Sequence, residues 1–450
     1  MSLADLLLDH PCADDDPLVF SISESLTKSE VVDRARALSV ELNRYQGGHK
    51  PVAVAAEGLD AIIAMFACWL LEAVFVPVNP RQPEESVRDA ARRAQAASII
   101  WGRRVEPRRP DTIYEPGVAF VLWTSGTTGE PKPVLHTHDA YLELIDRVLG
   151  SLRAAPAEPA KPPSPNLIPV SLALNAGIYN ALFGLRAGAP LVLMDRFTTA
   201  DFASLVERHQ VRSTVLPPAA IAMLNEDPAI ESLAPLRYVR SITAPLSPFH
   251  ARRFTERFGS FVLNGYGQAE IGEVIGWTAA DAQAHPDRIG AVGRAHAGVD
   301  IRVDEPDENH VGELLVRPPN KAIGLADDRV TTDGYVRTGD LARIDDAGFV
   351  WVEGRIGDLI NRGGNKLFPD EVEEILLSVP GIEEAAVVGA PDDRLGEVPV
   401  AFVVGAPAAD LDAICREYLA PYKVPVRFER LEALPRNAAG KLLRRELRNG

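Results

Sequence analysis

Cysteine is scarce in this chain: Cys12, Cys68 and Cys415 are the three in 450 residues. They are odd in number, far apart and without CxxC spacing, so neither a disulfide framework nor a zinc site is expected, and a reducing compartment is. Positive charge is also in deficit, with 47 Lys and Arg against 63 Asp and Glu and a formal net charge of −16. Non-specific nucleic-acid binding needs clustered positive charge to displace counterions, which speaks against that class of partner. A single small anionic ligand needs only local positive charge and is not excluded. Long apolar runs are missing too. The most apolar stretch, Ala61 to Leu71, meets Glu72 and then Pro77, too short for a hydrocarbon layer of about 30 Å. The N-terminus lacks a basic start and turns acidic at Asp14, Asp15 and Asp16, unlike a signal peptide. A soluble cytoplasmic protein with no membrane span is expected.

What is present is ordinary globular composition, 46% hydrophobic and 24% charged, on a length suited to two to four domains at roughly 150 residues each. The first hundred residues alternate helical and strand patterns. Thr27 and Glu30 predict a capping box ahead of VVDRARALSVELN, whose apolar spacing is helical. The formal SxxK match from Ser25 to Lys28 is better read as this helix start, because SDN and KTG partners are absent. PVAVAAE reads as a strand, GLDAIIAMFACWLLEA as a helix, VFVPVN as a strand and PEESVRDAARRAQA as a helix. Such alternation predicts an α/β fold with a mostly parallel sheet. Residues 154–165, rich in proline and alanine, read as a surface loop. From about Gly298 short strands (VDIRVDE, GELLVRP, GYVRTGDLARID, GFVWVEGR) predict a small antiparallel barrel or sheet. After Arg355 helices and strands alternate again. The shift places a boundary near 355–358, giving an N-terminal domain over 1–355 and a C-terminal domain over 356–450.

The strongest local signal runs from Leu122 to Lys132, where a strand enters a loop holding Thr124, Ser125, Gly126, Thr127, Thr128, Gly129 and Lys132. Glycines permit close backbone approach, and amides, hydroxyls and an ammonium group can surround phosphate oxygens. It is not a Walker A sequence, and alone it is equally a polar hairpin. Further on stand NGYGQAE at 264–270, RTGDL at 337–341, EGRIGDLINRGGNKLFPDEVEE at 353–374 and PRNAAGKLLRREL at 435–447. In this order the five segments resemble the adenylate-forming superfamily of acyl-CoA synthetases, nonribosomal adenylation domains and firefly luciferase. The resemblance covers nearly the whole chain. It implies a large N-terminal α/β region with a barrel-like part, and a small mobile α+β C-terminal domain.

It also implies roles for residues. Forming an acyl-adenylate brings a carboxylate against the α-phosphorus of ATP, so charge neutralisation and positioning are the main demands. By resemblance, Thr124 to Lys132 holds the β- and γ-phosphates, and Glu270 is the carboxylate associated with Mg²⁺, a hard oxygen ligand for a hard cation. Tyr266 lies against the adenine, with Asn264, Gly265, Gly267, Gln268 and the loop Thr243, Ala244 and Pro245 around the nucleotide. Asp340 accepts from the ribose hydroxyls, Arg355 reaches ribose or phosphate, and Lys441 bridges the substrate carboxylate and the α-phosphate as a point charge. In isolation Glu270 and Asp340 read as solvated or capping carboxylates, Tyr266 as core and Lys441 as one charge of a basic helical face. Five motifs in register favour function. His136 and His138, near Asp139, read as packing or helix-start residues.

Several positions depart from the family pattern. Ala269 stands where a threonine usually precedes the motif glutamate, Pro133 follows the loop lysine in place of glycine, and Ile242 and Thr243 replace two glycines before Ala-Pro-Leu. Gly357 occupies the usual hinge position, where glycine keeps rotation open. Leu174, Asn175, Ala176, Ile178, Ala220 and Ile271 fall in segments that line the acid's site in relatives, and their character implies an apolar carboxylic acid, with no evident cation for a second carboxylate. Gly363 and Gly364 resemble the loop that admits pantetheine. Three outcomes follow: a CoA ligase using ATP, Mg²⁺ and CoA; an activating enzyme that hands the acyl group to a separate carrier protein or an amine; or a non-catalytic nucleotide binder, disfavoured by the retained Lys441, Glu270, Asp340 and Arg355.

Overall fold

The protein is described from a computed structural model, which covers residues 2–45, 47–109, 112–125, 131–152, 163–241, 246–268, 271–319, 329–436 and 442–448. Of Thr124, Ser125, Pro131, Lys132, Ser151 and Leu152 the backbone alone is described.

The N-terminal alternation folds as read. Thr27 caps the helix Lys28–Asn43, accepting from the Glu30 amide while the Glu30 carboxylate accepts from the Thr27 amide, so two orphan donors of the first turn are satisfied at once. Strands Pro51–Ala55, Val74–Pro77, Ser98–Trp101 and Val118–Ser125 run parallel in a six-stranded sheet, with antiparallel edges at Arg104–Pro107 and Pro131–Thr137. A second sheet of nine strands is parallel through its centre, from Pro17–Phe20 to Phe261–Gln268, and antiparallel at both edges. The helix Gly58–Leu70 is apolar on nearly all sides and buried. One core joins it to Val52, Phe75 and Ala119 of the first sheet and Leu18, Ile168 and Leu191 of the second. A helix buried all round is what such a sequence requires.

The elements that carry the site are α1 (His138–Leu152), α2 (Asn175–Arg186), β1 (Tyr238–Ser241), β2 (Phe261–Gln268), β3 (Gly272–Gly276), β4 (Val336–Ile344), β5 (Val350–Arg355), α3 (Pro369–Leu377) and α4 (Arg444–Arg448). β1 pairs parallel with β2, and β2 turns back antiparallel onto β3 at one end of the nine-stranded sheet. β4 and β5 close a four-stranded antiparallel sheet with Asp300–Asp304 and Gly312–Arg317. The expected small β part is therefore a sheet, whose Leu314, Val316 and Val350 share one core with Val274 and Ile275 of β3.

The smaller C-terminal domain carries a five-stranded sheet, formed by Ile360–Arg362, Asn365–Leu367, Ile382–Asp392, Gly396–Gly405 and Arg427–Leu431. Ile360, Val372, Leu376, Val387, Ala401 and Cys415 form its core. No helix among the described residues is long and apolar enough to cross a membrane.

Candidate active site

Asp340 is the centre of one polar cluster. It sits in β4 opposite Arg355 of β5 and is 5% exposed. Gly339, at φ +73°, makes the irregular backbone that turns it inward, a conformation that strongly favours glycine. Thr338 supports the turn: its hydroxyl donates to the Leu314 carbonyl at 2.7 Å and accepts from the Asp340 amide at 3.1 Å. Three donors converge on the Asp340 carboxylate. The Tyr266 hydroxyl lies 2.6 Å and Gln268 Nε2 2.9 Å from Oδ2, and Arg355 Nε lies 2.8 Å from Oδ1. Gln268 also donates to the Thr338 carbonyl at 2.9 Å and accepts from Arg329 at 2.9 Å. Burial, and then the charge of Asp340, push the Tyr266 phenol well above its ordinary range, so it remains a donor. The side chain of Arg355 is 48% exposed.

Tyr266, Gln268, Asp340 and Arg355 are thus brought together from two sheets. Asn264, at the C-terminal end of the β1–β2 pairing, accepts from the Gly265 amide at 3.1 Å. Gly267 has no room for a Cβ, which would lie 2.2 Å from the Gly272 carbonyl oxygen. The close approach of β2 and β3 therefore requires glycine at that position.

Other expected site residues lie outside the described residues: Gly126, Thr127, Thr128, Gly129, Thr243, Ala244, Pro245, Glu270 and Lys441. Backbone register places Thr124 opposite Lys132 and Ser125 opposite Pro131, so residues 126–130 join two antiparallel strands. His136 stacks on Phe120 with ring centroids 4.5 Å apart, and burial lowers its pKa to about 4. His138 packs edge-on against Trp69 and accepts from the Leu3 amide. Both are packing residues.

Of the expected acyl-pocket residues, Ile178, Ala220 and Ile271 fall in three different cores, while Leu174 and Asn175 are half-buried. Leu174 and Asn175 begin α2, where Asn175 accepts from the Tyr141 hydroxyl at 2.7 Å. Ala176 is buried on the same helix, and Ile178 belongs to the core between the two large sheets. Ala220 packs with Phe202 and Leu224, and Ile271 with Val274 and Ile275.

Between these segments lies a charged cluster that the sequence reading missed. Arg240 of β1 forms an ion pair with Glu273 of β3, both largely buried. The other oxygen of Glu273 meets His296 Nε2 at 3.3 Å. The guanidinium of Arg240 lies over the rings of Tyr179 and Phe183 in α2, 5.9 and 5.3 Å from their centroids. Burial opposes the charge of Glu273, yet Arg240 and His296 outweigh it and bring its pKa down to about 2. The available signal was an arginine and a glutamate inside otherwise apolar strands, YVRS and GEVIG.

In the C-terminal domain Gly363 and Gly364, at φ +60° and +90°, form the two-residue turn of the hairpin that pairs Arg362 with Asn365; two positive φ values fit such a turn. Gly357 lies exposed in a short 3₁₀ turn, Ile356–Asp358, with open space where a Cβ would stand. Arg448 of α4 donates to its carbonyl at 3.4 Å. Arg444 is anchored firmly: it pairs with both oxygens of Glu373, donates to Asp370 at 3.2 Å and to the Val387 carbonyl at 2.9 Å, and lies 3.9 Å from Asp358. Burial and the neighbouring Glu373 push the Asp370 carboxyl up.

Among the described residues no group of three or more His, Cys, Asp or Glu is arranged to hold a metal ion. This does not count against Mg²⁺, which binds through one or two carboxylates and substrate phosphates.

Comparison with known proteins agrees along the length of the chain. The model of the AMP-binding enzyme family matches residues 9–116 and 103–325, and that of the AMP-binding enzyme C-terminal domain matches 371–441. A sulfoacetate–CoA ligase of Cupriavidus necator is 34% identical over 364 residues, 76% of this chain and 68% of that ligase. A 2-succinylbenzoate–CoA ligase of Bacillus velezensis is 29% identical over 96% of this chain and 95% of its own. The solved structure of an amide bond synthetase from Marinactinospora thermotolerans superposes with a TM-score of 0.83 at 25% identity, covering 99% of each chain. With a family model spanning more than half of its length and a second over its C-terminal part, the chain belongs to the AMP-binding enzymes, the family of ATP-dependent, AMP-forming acyl-CoA ligases.

Proposed function

We propose that the protein is a carboxylate–CoA ligase working in two half-reactions. In the first, a carboxylate oxygen attacks the α-phosphorus of ATP and pyrophosphate leaves, giving an acyl-adenylate. In the second, the CoA thiol adds to the acyl carbon, losing its proton, and AMP leaves. The convergence of Tyr266, Gln268 and Arg355 on buried Asp340 carries the reading. A carboxylate has about four acceptor positions, and Arg355, half exposed, is the partner able to turn outward. Asp340 can then accept from ribose while Arg355 reaches phosphate, with Tyr266 beside the base. Thr124, Ser125, Gly126, Thr127, Thr128, Gly129 and Lys132 hold the distal phosphates, and Asn264, Gly265 and Thr243 to Pro245 flank the nucleotide. Glu270 would hold Mg²⁺, which supplies charge neutralisation on the phosphates. Lys441 would act where the two anions meet.

Incubating the protein with ATP, Mg²⁺ and a panel of acids, with and without CoA, separates the readings when AMP, pyrophosphate and thioester are measured individually. Acid-dependent pyrophosphate with CoA-dependent thioester is expected. The likeness to an amide bond synthetase supports a second reading, transfer to an amine; a separate carrier protein is the third acceptor to test. Acyl-adenylate formed but untouched by CoA would favour these. No acid-dependent AMP with any acid would overturn the ligase reading. The protein is further proposed to act in the cytoplasm.

Gly363 and Gly364 belong to the second step and Lys441 to the first, so the C-terminal domain (356–450) must turn relative to 1–355, with Gly357 as the hinge. One tie across that division, Arg252 to Glu374 at 3.4 Å, is an exposed pair of the kind that contributes little. Proline at 357 fixes φ near −65° but suits the start of a 3₁₀ turn, so Gly357→Pro should fold. Thioester formation from supplied acyl-adenylate is expected to fall at least about tenfold more than adenylation, if rotation at this residue is needed. Equal losses in both half-reactions, or undiminished thioester formation, would remove the hinge from Gly357.

A further inference from the structure

The Arg240 cluster is poorly explained as scaffolding. A buried ion pair loses much of its attraction to desolvation, and apolar residues of similar volume often serve stability as well. Its hydrogen-bonding is also unbalanced. Glu273 is used on both sides, by Arg240 and by His296. Arg240 bears five N–H donors in a fixed fork. Among the described residues the hydrogen bond found for it goes to one carboxylate, Glu273. Donors exceed acceptors, and 15% of the side chain remains exposed.

Position adds to this. Arg240 lies over two rings of α2, the helix that begins with Leu174 and Asn175. Glu273 sits opposite Gly267, between the partners of Tyr266 and Gln268, which bind Asp340. The cluster therefore separates the nucleotide-facing hairpin from the segment assigned to the acid. Arg147 of α1 reaches the Glu273 backbone carbonyl at 3.5 Å, which brings a second guanidinium to the cluster, and Glu143 faces it one turn earlier on the exposed side of α1.

We propose that Arg240, held in place by Glu273 and by its position over the rings of Tyr179 and Phe183, determines specificity for acids that carry a second anionic oxygen group, a carboxylate or a sulfonate, away from the reacting carboxylate. This deepens the ligase reading and rests on it. A guanidinium fork matches such groups in geometry and charge, and a fixed buried donor discriminates against analogues that lack its acceptor far more than an apolar wall can. It replaces the expectation of an apolar acid with no cation to receive a second charge.

The test compares chain-matched monocarboxylic, α,ω-dicarboxylic and ω-sulfocarboxylic acids. Pyrophosphate exchange gives kcat/KM, and calorimetry in the presence of a non-hydrolysable ATP analogue gives affinity without turnover. The wild type is expected to prefer the doubly anionic acids, with the better of the two series identifying the second group. Arg240→Met should lower that preference at least about tenfold, and Arg240→Lys should retain part of it. Because Arg240→Met strands the Glu273 charge, Arg240→Met/Glu273→Met supplies the same comparison if the single variant does not fold. Preference for monoacids in the wild type, or an unchanged preference in a folded variant lacking Arg240, would overturn the proposal while leaving the ligase reading intact. Failure of every acid to turn over would overturn the ligase reading, and the calorimetric comparison would still decide the role of Arg240.

Discussion

Lys441→Ala is expected to reduce acid-dependent pyrophosphate exchange by about a hundred- to a thousand-fold, the scale of one lost electrostatic contact to a transition state. ATP binding should be nearly unchanged if, as proposed, the lysine acts where a second anion approaches and not where the nucleotide is gripped. The surroundings support this role. Arg436 and Leu442 pair across an antiparallel bridge, and the Leu443 amide donates to the Pro435 carbonyl at 2.8 Å. Just beyond, Arg444 is fixed by Glu373, Asp370 and the Val387 carbonyl, and Leu447 is buried against Val388, Val400 and Phe402. Exchange at near wild-type rate in Lys441→Ala would remove the lysine from the chemistry.

Asp340→Ala is expected to weaken ATP binding by about 1.5–3 kcal/mol for each hydrogen bond lost to a charged group. It should also lower stability, since Tyr266, Gln268 and Arg355 lose a shared acceptor at a buried position. Asp340→Asn separates the two effects. It keeps the size and one acceptor oxygen but loses the charge that orders Arg355, so binding should suffer more than folding. Calorimetric titration with ATP and a thermal melt of both variants make the comparison. Unchanged affinity in Asp340→Asn would return Asp340 to a structural role.

Much of this protein is written locally. The Thr27–Glu30 cap, the strand–helix alternation of the first hundred residues and the change to short antiparallel strands after Gly298 depend on residues within a few positions of one another. Helix caps and side-chain periodicity act over that range. The family was legible for a related reason: its motifs are contiguous, and their order survives without any knowledge of contacts. Asp340 and Arg355 could be joined from sequence as neighbours on adjacent strands. That Tyr266 and Gln268 complete the same cluster required the packing of two separate sheets.

The remainder was decided by tertiary structure. Arg240 and Glu273 are 33 residues apart and Arg444 lies 71 residues from Glu373. In sequence each reads as an unremarked charge, one inside an apolar strand and the other in a basic run. An ion pair becomes informative only when burial removes its water, and burial is a property of the assembled core. The sequence by itself determined the family, the order of the motifs and most of the secondary structure. Which charged side chains lose their solvent, and therefore which of them must find a partner or a ligand, was settled by the way the sheets and helices pack, because desolvation does not depend on distance along the chain.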